Sequence, residues 1–201
     1  KHYFHVICKD GKGAIFYEKK PGGSEADRYD SVFFSNRVIR GNVSLTKKNG
    51  ETGEAIAYVP FKITNNASGE THYILTNAEG KFNSANGKTV NTNANDAVLS
   101  KYKPTDVIPQ SVIDSLTKDA GLWFGLGSEG TMTKANSTYG ALVYGTYTVT
   151  EMKTEATKSM TLLSATVTIN QDGQLFSLGD MNNIPVKIST TLTDDADGDH
   201  Y

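Results

Sequence analysis

A chain of 201 residues with a single cysteine, Cys8, has no internal disulfide open to it and no set of thiolates for a zinc site. The run around it, "FHVIC", is strand-like, and a free Cys there reads as a small packed hydrophobe. Charge of one sign is also missing. A formal net charge of −2 leaves no electrostatic footprint for nucleic acid. No apolar run approaches the roughly 20 residues of a spanning helix, so nothing here inserts into a membrane as a helix. The four histidines, at positions 2, 5, 72 and 200, lack metal-ligand spacing, so no metal is expected. Ser, His and Asp are present without a nucleophile elbow, which argues against an enzyme acting on external substrates. No internal repeat is evident. A first residue of Lys, with no signal peptide, fits a piece of a longer protein.

What is present makes a folded, core-forming chain. Hydrophobic residues are 37% and charged residues 21%, which is outside the disordered range. Short strand-like runs dominate: "YFHVIC", "GAIFYE" and "SVFFSNRVI" before residue 40, then "NVSLTKK", "YVPFKIT", "THYILT", "YGALVYGTYTVTE", "MTLLSATVTI", "QLFSL" and "IPVKISTTL". The pair 58–64 and 71–76 flanks "NNASGE" as a hairpin connection. Residues 83–103 are polar and Asn-rich and read as a long surface loop. The segment 105–121 holds the one helical pattern, with Ser111 or Asp106 as its cap and Gly121 as its stop. Many short strands with one helical insertion predict an all-β antiparallel sandwich.

Several motifs dissolve on weighing. "NGKT" at 86–89 has no strand feeding a helix, so it is a turn rather than a phosphate loop. "DDADGD" at 194–199 lacks the bidentate Glu of a calcium loop. Glycosylation triplets begin at Asn42, Asn66 and Asn136, a pattern common by chance.

Two strands carry an anomaly. Alternation in "NVSLTKK" puts Lys47 on the face of Val43 and Leu45. In "GTYTVTE" it puts Glu151 on the face of Tyr147 and Val149. Both charges therefore point where apolar residues go. The plain alternative is that Lys47 snorkels out at a strand end and meets Glu151 in an exposed ion pair, worth about 0–1 kcal/mol.

At these residues the chain resembles a known family. "VSLTKKNGETG" (43–53), "YVPFKITNNASGETHYILTNAEGKF" (58–82), "YGTYTVTE" (144–151) and "NNIPV" (182–186) are similar to the strands of the collagen-adhesin B-type domain, Cna B-like and prealbumin-like, found in stalks of Gram-positive surface proteins. The resemblance implies an Ig-like or prealbumin-like sandwich over 40–188, with a helix-containing insertion at 83–135. Residues 1–39 are then an N-terminal strand segment that could end a preceding module. Residues 189–201 could open a following ester-bond module through Thr190 or Thr191.

The resemblance further implies an autocatalytic isopeptide bond, with Lys47 as donor and Glu151 as the assisting acid. The acceptor stays open at this point. The "N-x-P" motif selects Asn183, whereas strict alternation with Ile184 and Val186 selects Asn182. A place at the end of the last strand falls on Thr190, which could not form an amide. No cofactor is needed. The implied setting is the cell wall and extracellular surface, with adjacent modules of the same protein as partners and the module itself a monomer. The rival expectation is an adhesin module that binds a host glycan or extracellular-matrix protein through the insertion, with Trp123 and Phe124 as a stacking platform or, alternatively, as a core plug.

Overall fold

The structure is a computed structural model that describes residues 4–8, 14–18, 38–86, 92–125 and 140–186. The chain divides into two compact units, Lys1–Arg37 and Val38–Tyr201. In the first, β1 (Phe4–Cys8) pairs antiparallel with β2 (Ala14–Glu18).

The second unit is a two-layer sandwich. One sheet has the order β5 (Thr71–Leu75), β4 (Pro60–Asn65), β8 (Gly145–Glu151), β9 (Ser164–Ile169), antiparallel throughout. The other has β10 (Gln174–Asn183) beside β3 (Arg40–Asn49), with β6 (Lys81–Asn83) and the two-residue β7 (Leu142–Val143) completing it along β3. The β3–β10 pair is parallel, a departure from the expected antiparallel pattern. Parallel neighbours need a crossover, and here the crossover is nearly the whole module, so its first and last strands lie side by side.

Between the layers sits the main core, built on Val43, Leu45, Phe61, Ile63, Tyr147, Val149, Val167 and Ile169. Each is nearly or fully buried, worth roughly 1.5–3 kcal/mol per large side chain. A second cluster lies on the outer side of β5, where Tyr73 and Leu75 meet Leu99, Ile108, Ile113, Leu116 and Met152. It explains why Tyr73, Ile74 and Leu75 are buried in succession: Ile74 enters the main core, and its two neighbours face the inserted segment.

The expected helix is shorter than its pattern. α2 spans only Gln110–Ser115 after α1 (Asp96–Leu99). Its N-cap is Pro109, without a side-chain cap, rather than Ser111 or Asp106. Asp106 instead accepts from the Lys103 amide. The helix ends well before Gly121 because Leu116 turns extended and is buried with Ile113 in the second cluster.

Over its described parts, 83–86 and 92–103, the Asn-rich stretch is not a plain surface loop either. A 3₁₀ turn, Ser84–Asn86, follows β6, and Leu99 is fully buried. Asn95 exchanges two 2.9 Å hydrogen bonds with the Thr117 backbone. Asn93 does the same with Trp123, donating to its carbonyl at 2.9 Å and accepting from its amide at 3.0 Å. An asparagine amide carries both a donor and an acceptor, so it pairs with a peptide group as another strand would.

The expected strand "QLFSL" is longer than its pattern, and "IPVKISTTL" lies within the described residues only over 184–186. β10 is continuous from Gln174 to Asn183, and Pro185 joins only an isolated bridge with Met160. Thr190, Thr191 and the acidic tail lie outside the described residues.

Candidate functional site

β3 alternates without interruption, so Val43, Leu45 and Lys47 all enter the core, and Lys47 is 0% exposed. β8 does the same with Tyr147, Val149 and Glu151, each 0% exposed. The two charges approach from opposite sheets. Lys47 Nζ lies 3.3 Å from Glu151 Oε2. The other carboxylate oxygen, Oε1, accepts from Asn183 Nδ2 at 2.6 Å. Asn183 closes β10 and is 0% exposed. One carboxylate thus holds both an amine and a carboxamide, with water excluded from all three side chains.

Backbone groups complete the site. Lys47 Nζ donates to the Met181 carbonyl at 3.2 Å, and the Leu163 amide donates to Glu151 Oε2 at 3.3 Å. Asn183 is pinned by its own carbonyl, which accepts from Gly50 N at 2.7 Å. Its side-chain Oδ1 is buried without a hydrogen-bond partner. That is a costly state for a carbonyl oxygen, about 1–3 kcal/mol.

The electrostatics follow from burial. Desolvation lowers the Lys47 pKa against the opposing pull of Glu151. Desolvation raises the Glu151 pKa against the opposing effects of Lys47, Asn183 and the Leu163 amide. Both shifts favour the uncharged forms, a neutral amine beside a neutral acid. A neutral amine is a nucleophile, and a neutral carboxylic acid can donate a proton to a carboxamide.

Asn182 does not take the inward place that strict alternation assigns it. Ile184 and Val186, its supposed inward companions, are 58% and 59% exposed, and Asn182 is exposed with them. Asn183 carries the inward phase because β10 shifts register between Ser177 and Asp180.

Trp123 and Phe124 do not form a stacking platform. Trp123 is 3% exposed beneath the Arg40 guanidinium, whose carbon sits 3.5 Å from the ring centre. Phe124 is fully buried, edge-on to His72 at 4.6 Å and to Tyr147 at 5.0 Å. Both plug the inserted segment into the sandwich.

A charged cluster beside this plug has no counterpart in the sequence reading. His72 Nδ1 meets Asp96 Oδ2 at 2.6 Å, and its Nε2 meets Glu70 Oε1 at 2.9 Å. Glu70 also accepts from the Gly125 amide. Through Asp96, His72 ties β5 to α1. Nothing in the local sequence signals this, because Asp96 reaches His72 only through the fold. The Met181 carbonyl and Leu163 amide were equally invisible, since every residue carries such groups.

No family model matches the chain, and no curated protein matches it. Solved structures do. The minor pilin GBS52 of Streptococcus agalactiae matches at 12% identity and a TM-score of 0.42, over 90% of this chain and 64% of that one. The Bacillus anthracis TIE protein matches at 14% identity and 0.38, over 74% and 18%. The major pilin subunit of Bacillus cereus matches at 10% identity and 0.37, over 91% and 38%. Two of these three structures are pilins. The matches span well under two thirds of most of those chains.

Proposed function

We propose that this chain is a structural module of a Gram-positive surface or pilus-like protein, stiffened by a bond that Lys47 and Asn183 form with the help of Glu151. The observation that carries the reading is the burial of an amine, a carboxylic acid and a carboxamide at 0% exposure, with the acid touching both of the others. An unreacted buried ion pair often costs more in desolvation than it returns. Condensation removes that cost by replacing the amine with an amide.

The chemistry balances without a cofactor. Lys47 passes a proton to Glu151 and becomes a neutral amine. A half-turn of the Asn183 amide brings Oδ1, otherwise unpartnered, against the new Glu151 acid proton, which polarises the carbonyl. Lys47 Nζ attacks Asn183 Cγ, and the Nζ–Cγ bond forms. Glu151 delivers its proton to Nδ2 and takes up one from Nζ, the Cγ–Nδ2 bond breaks, and ammonia leaves. Each chain reacts once, so this is self-modification and not turnover. The fold supplies proximity, which can be worth several kcal/mol of barrier.

The bond would join the first and last strands of the sandwich, β3 and β10, so tension entering one strand passes covalently to the other. That suits a stalk module working outside the cell, where adjacent modules of the same protein are its neighbours. The glycan- or matrix-binding alternative loses its platform with Trp123 and Phe124 in the core. Intact-mass spectrometry tests the proposal. The expected mass is that of the sequence less one ammonia, and Lys47→Ala restores the full value. A wild-type chain at full mass would refute it.

A further inference from the structure

β10 carries two inward runs of opposite phase. Phe176 and Leu178 are partly buried against the main core, at even positions. Met181 and Asn183 are buried at odd positions. Between them the pairing with β3 shifts: Ser177 sits opposite Ser44, yet Asp180 sits opposite Thr46. Leu178 and Gly179 therefore both face Leu45, an extra residue in a parallel pair, where bulges are uncommon. Gly179 has φ +65°, and a Cβ built there meets nothing within 4 Å. The glycine is required by the backbone conformation and not by a shortage of space.

We propose that this bulge selects Asn183 over its neighbour Asn182 as the acceptor, an inference that rests on the cross-linking reading above. Carrying the upstream register forward without the bulge sets Asp180 against Lys47 and Asn182 against Asn49. Asn182 then takes the inward place, Asn183 turns to solvent, and a second carboxylate is pushed toward Glu151. With the bulge, Met181 lies opposite Lys47 and presents the carbonyl that receives Lys47 Nζ at 3.2 Å. The same excursion thus places the acceptor and the anchor of the donor. Gly179 touches neither reacting group, so it is a positioning residue.

Removing Gly179 altogether leads to a sharper expectation. Leu178 then faces Leu45, Asp180 faces Thr46, and Met181 and Asn183 keep their partners. A strand one residue shorter should still link to Asn183, whereas a full-length strand that cannot bulge should not.

The test uses the whole chain, made by cell-free synthesis and sampled over time by intact mass, with the linked peptides mapped. Wild type, Gly179→Asn, which tolerates a positive φ, and the Gly179 deletion should all lose ammonia at Asn183. Gly179→Val, which resists that φ, should link about tenfold more slowly, with linkage to Asn182 emerging. A role in stability alone would not change which asparagine is joined. Linkage at Asn183 at the wild-type rate in Gly179→Val overturns the proposal. So does a folded deletion variant, judged by circular dichroism, that stays unlinked. A wild-type chain without ammonia loss refutes the cross-link itself, and the selection falls with it.

Discussion

Glu151→Gln isolates the chemistry of the site from its packing. The substitution keeps the side chain's shape and can still accept from Asn183 Nδ2, but it removes the carboxyl group that relays the proton. The cross-link should not form, and the chain should carry its full sequence mass. The stability consequence can be worked from the topology. The bond closes a loop of roughly 140 residues, for which chain-entropy reasoning assigns about 5 kcal/mol. For a domain of this size each kcal/mol moves the melting temperature by about 2–4 °C, so the expected drop is about 10–20 °C. A second contribution is smaller. Lys47 is left buried without its counter-charge, but desolvation already lowers its pKa, and it can shed its proton instead of bearing the roughly 3–5 kcal/mol cost typical of a broken buried pair. Intact mass and thermal unfolding, read on the same samples, check both statements. Ammonia loss in Glu151→Gln at the wild-type rate would refute the proton-relay role. A melting temperature unchanged in an unlinked variant would refute the argument that the bond stabilises through the unfolded chain.

Three further outcomes follow from the same geometry. Asn183→Ala should abolish the ammonia loss while Asn182→Ala leaves it intact, as read by peptide mapping, since only Asn183 touches Glu151. Trp123→Ala should destabilise by about 3–5 kcal/mol in urea unfolding, the range for emptying a large core site, where a surface platform residue would change stability by under about 0.5 kcal/mol. His72 should give the insertion a pH-dependent hold. Burial disfavours its charged ring, but the hydrogen bonds and charges of Asp96 and Glu70 outweigh this and raise its pKa above the ordinary 6.5. A raised folded pKa contributes stability that is full below the unfolded value and fades as pH climbs through the folded one. The urea midpoint should therefore decline as pH rises through the range just above 6.5, and His72→Gln should flatten that decline.

Local periodicity determined a good deal of this protein by itself. Alternation is a property of the extended backbone, so the inward direction of Lys47 and Glu151 could be read from Val43, Leu45, Tyr147 and Val149 without knowing what lay opposite. The hairpin of β4 and β5 and the two-layer architecture were legible for the same reason. Gly179 inside a strand is a readable hint of a bulge. The tertiary structure alone decided the rest. Phase is local only until a bulge resets it, so the choice between Asn182 and Asn183 depended on how β10 pairs with β3, a strand far away in sequence. Trp123 and Phe124 look the same in sequence whether they plug a core or face solvent, because burial depends on what covers them, here Arg40, His72 and Tyr147. The meeting of amine, acid and amide is likewise a matter of strands far apart in the chain: alternation sends side chains inward, and only the packing of one sheet on the other brings them within reach.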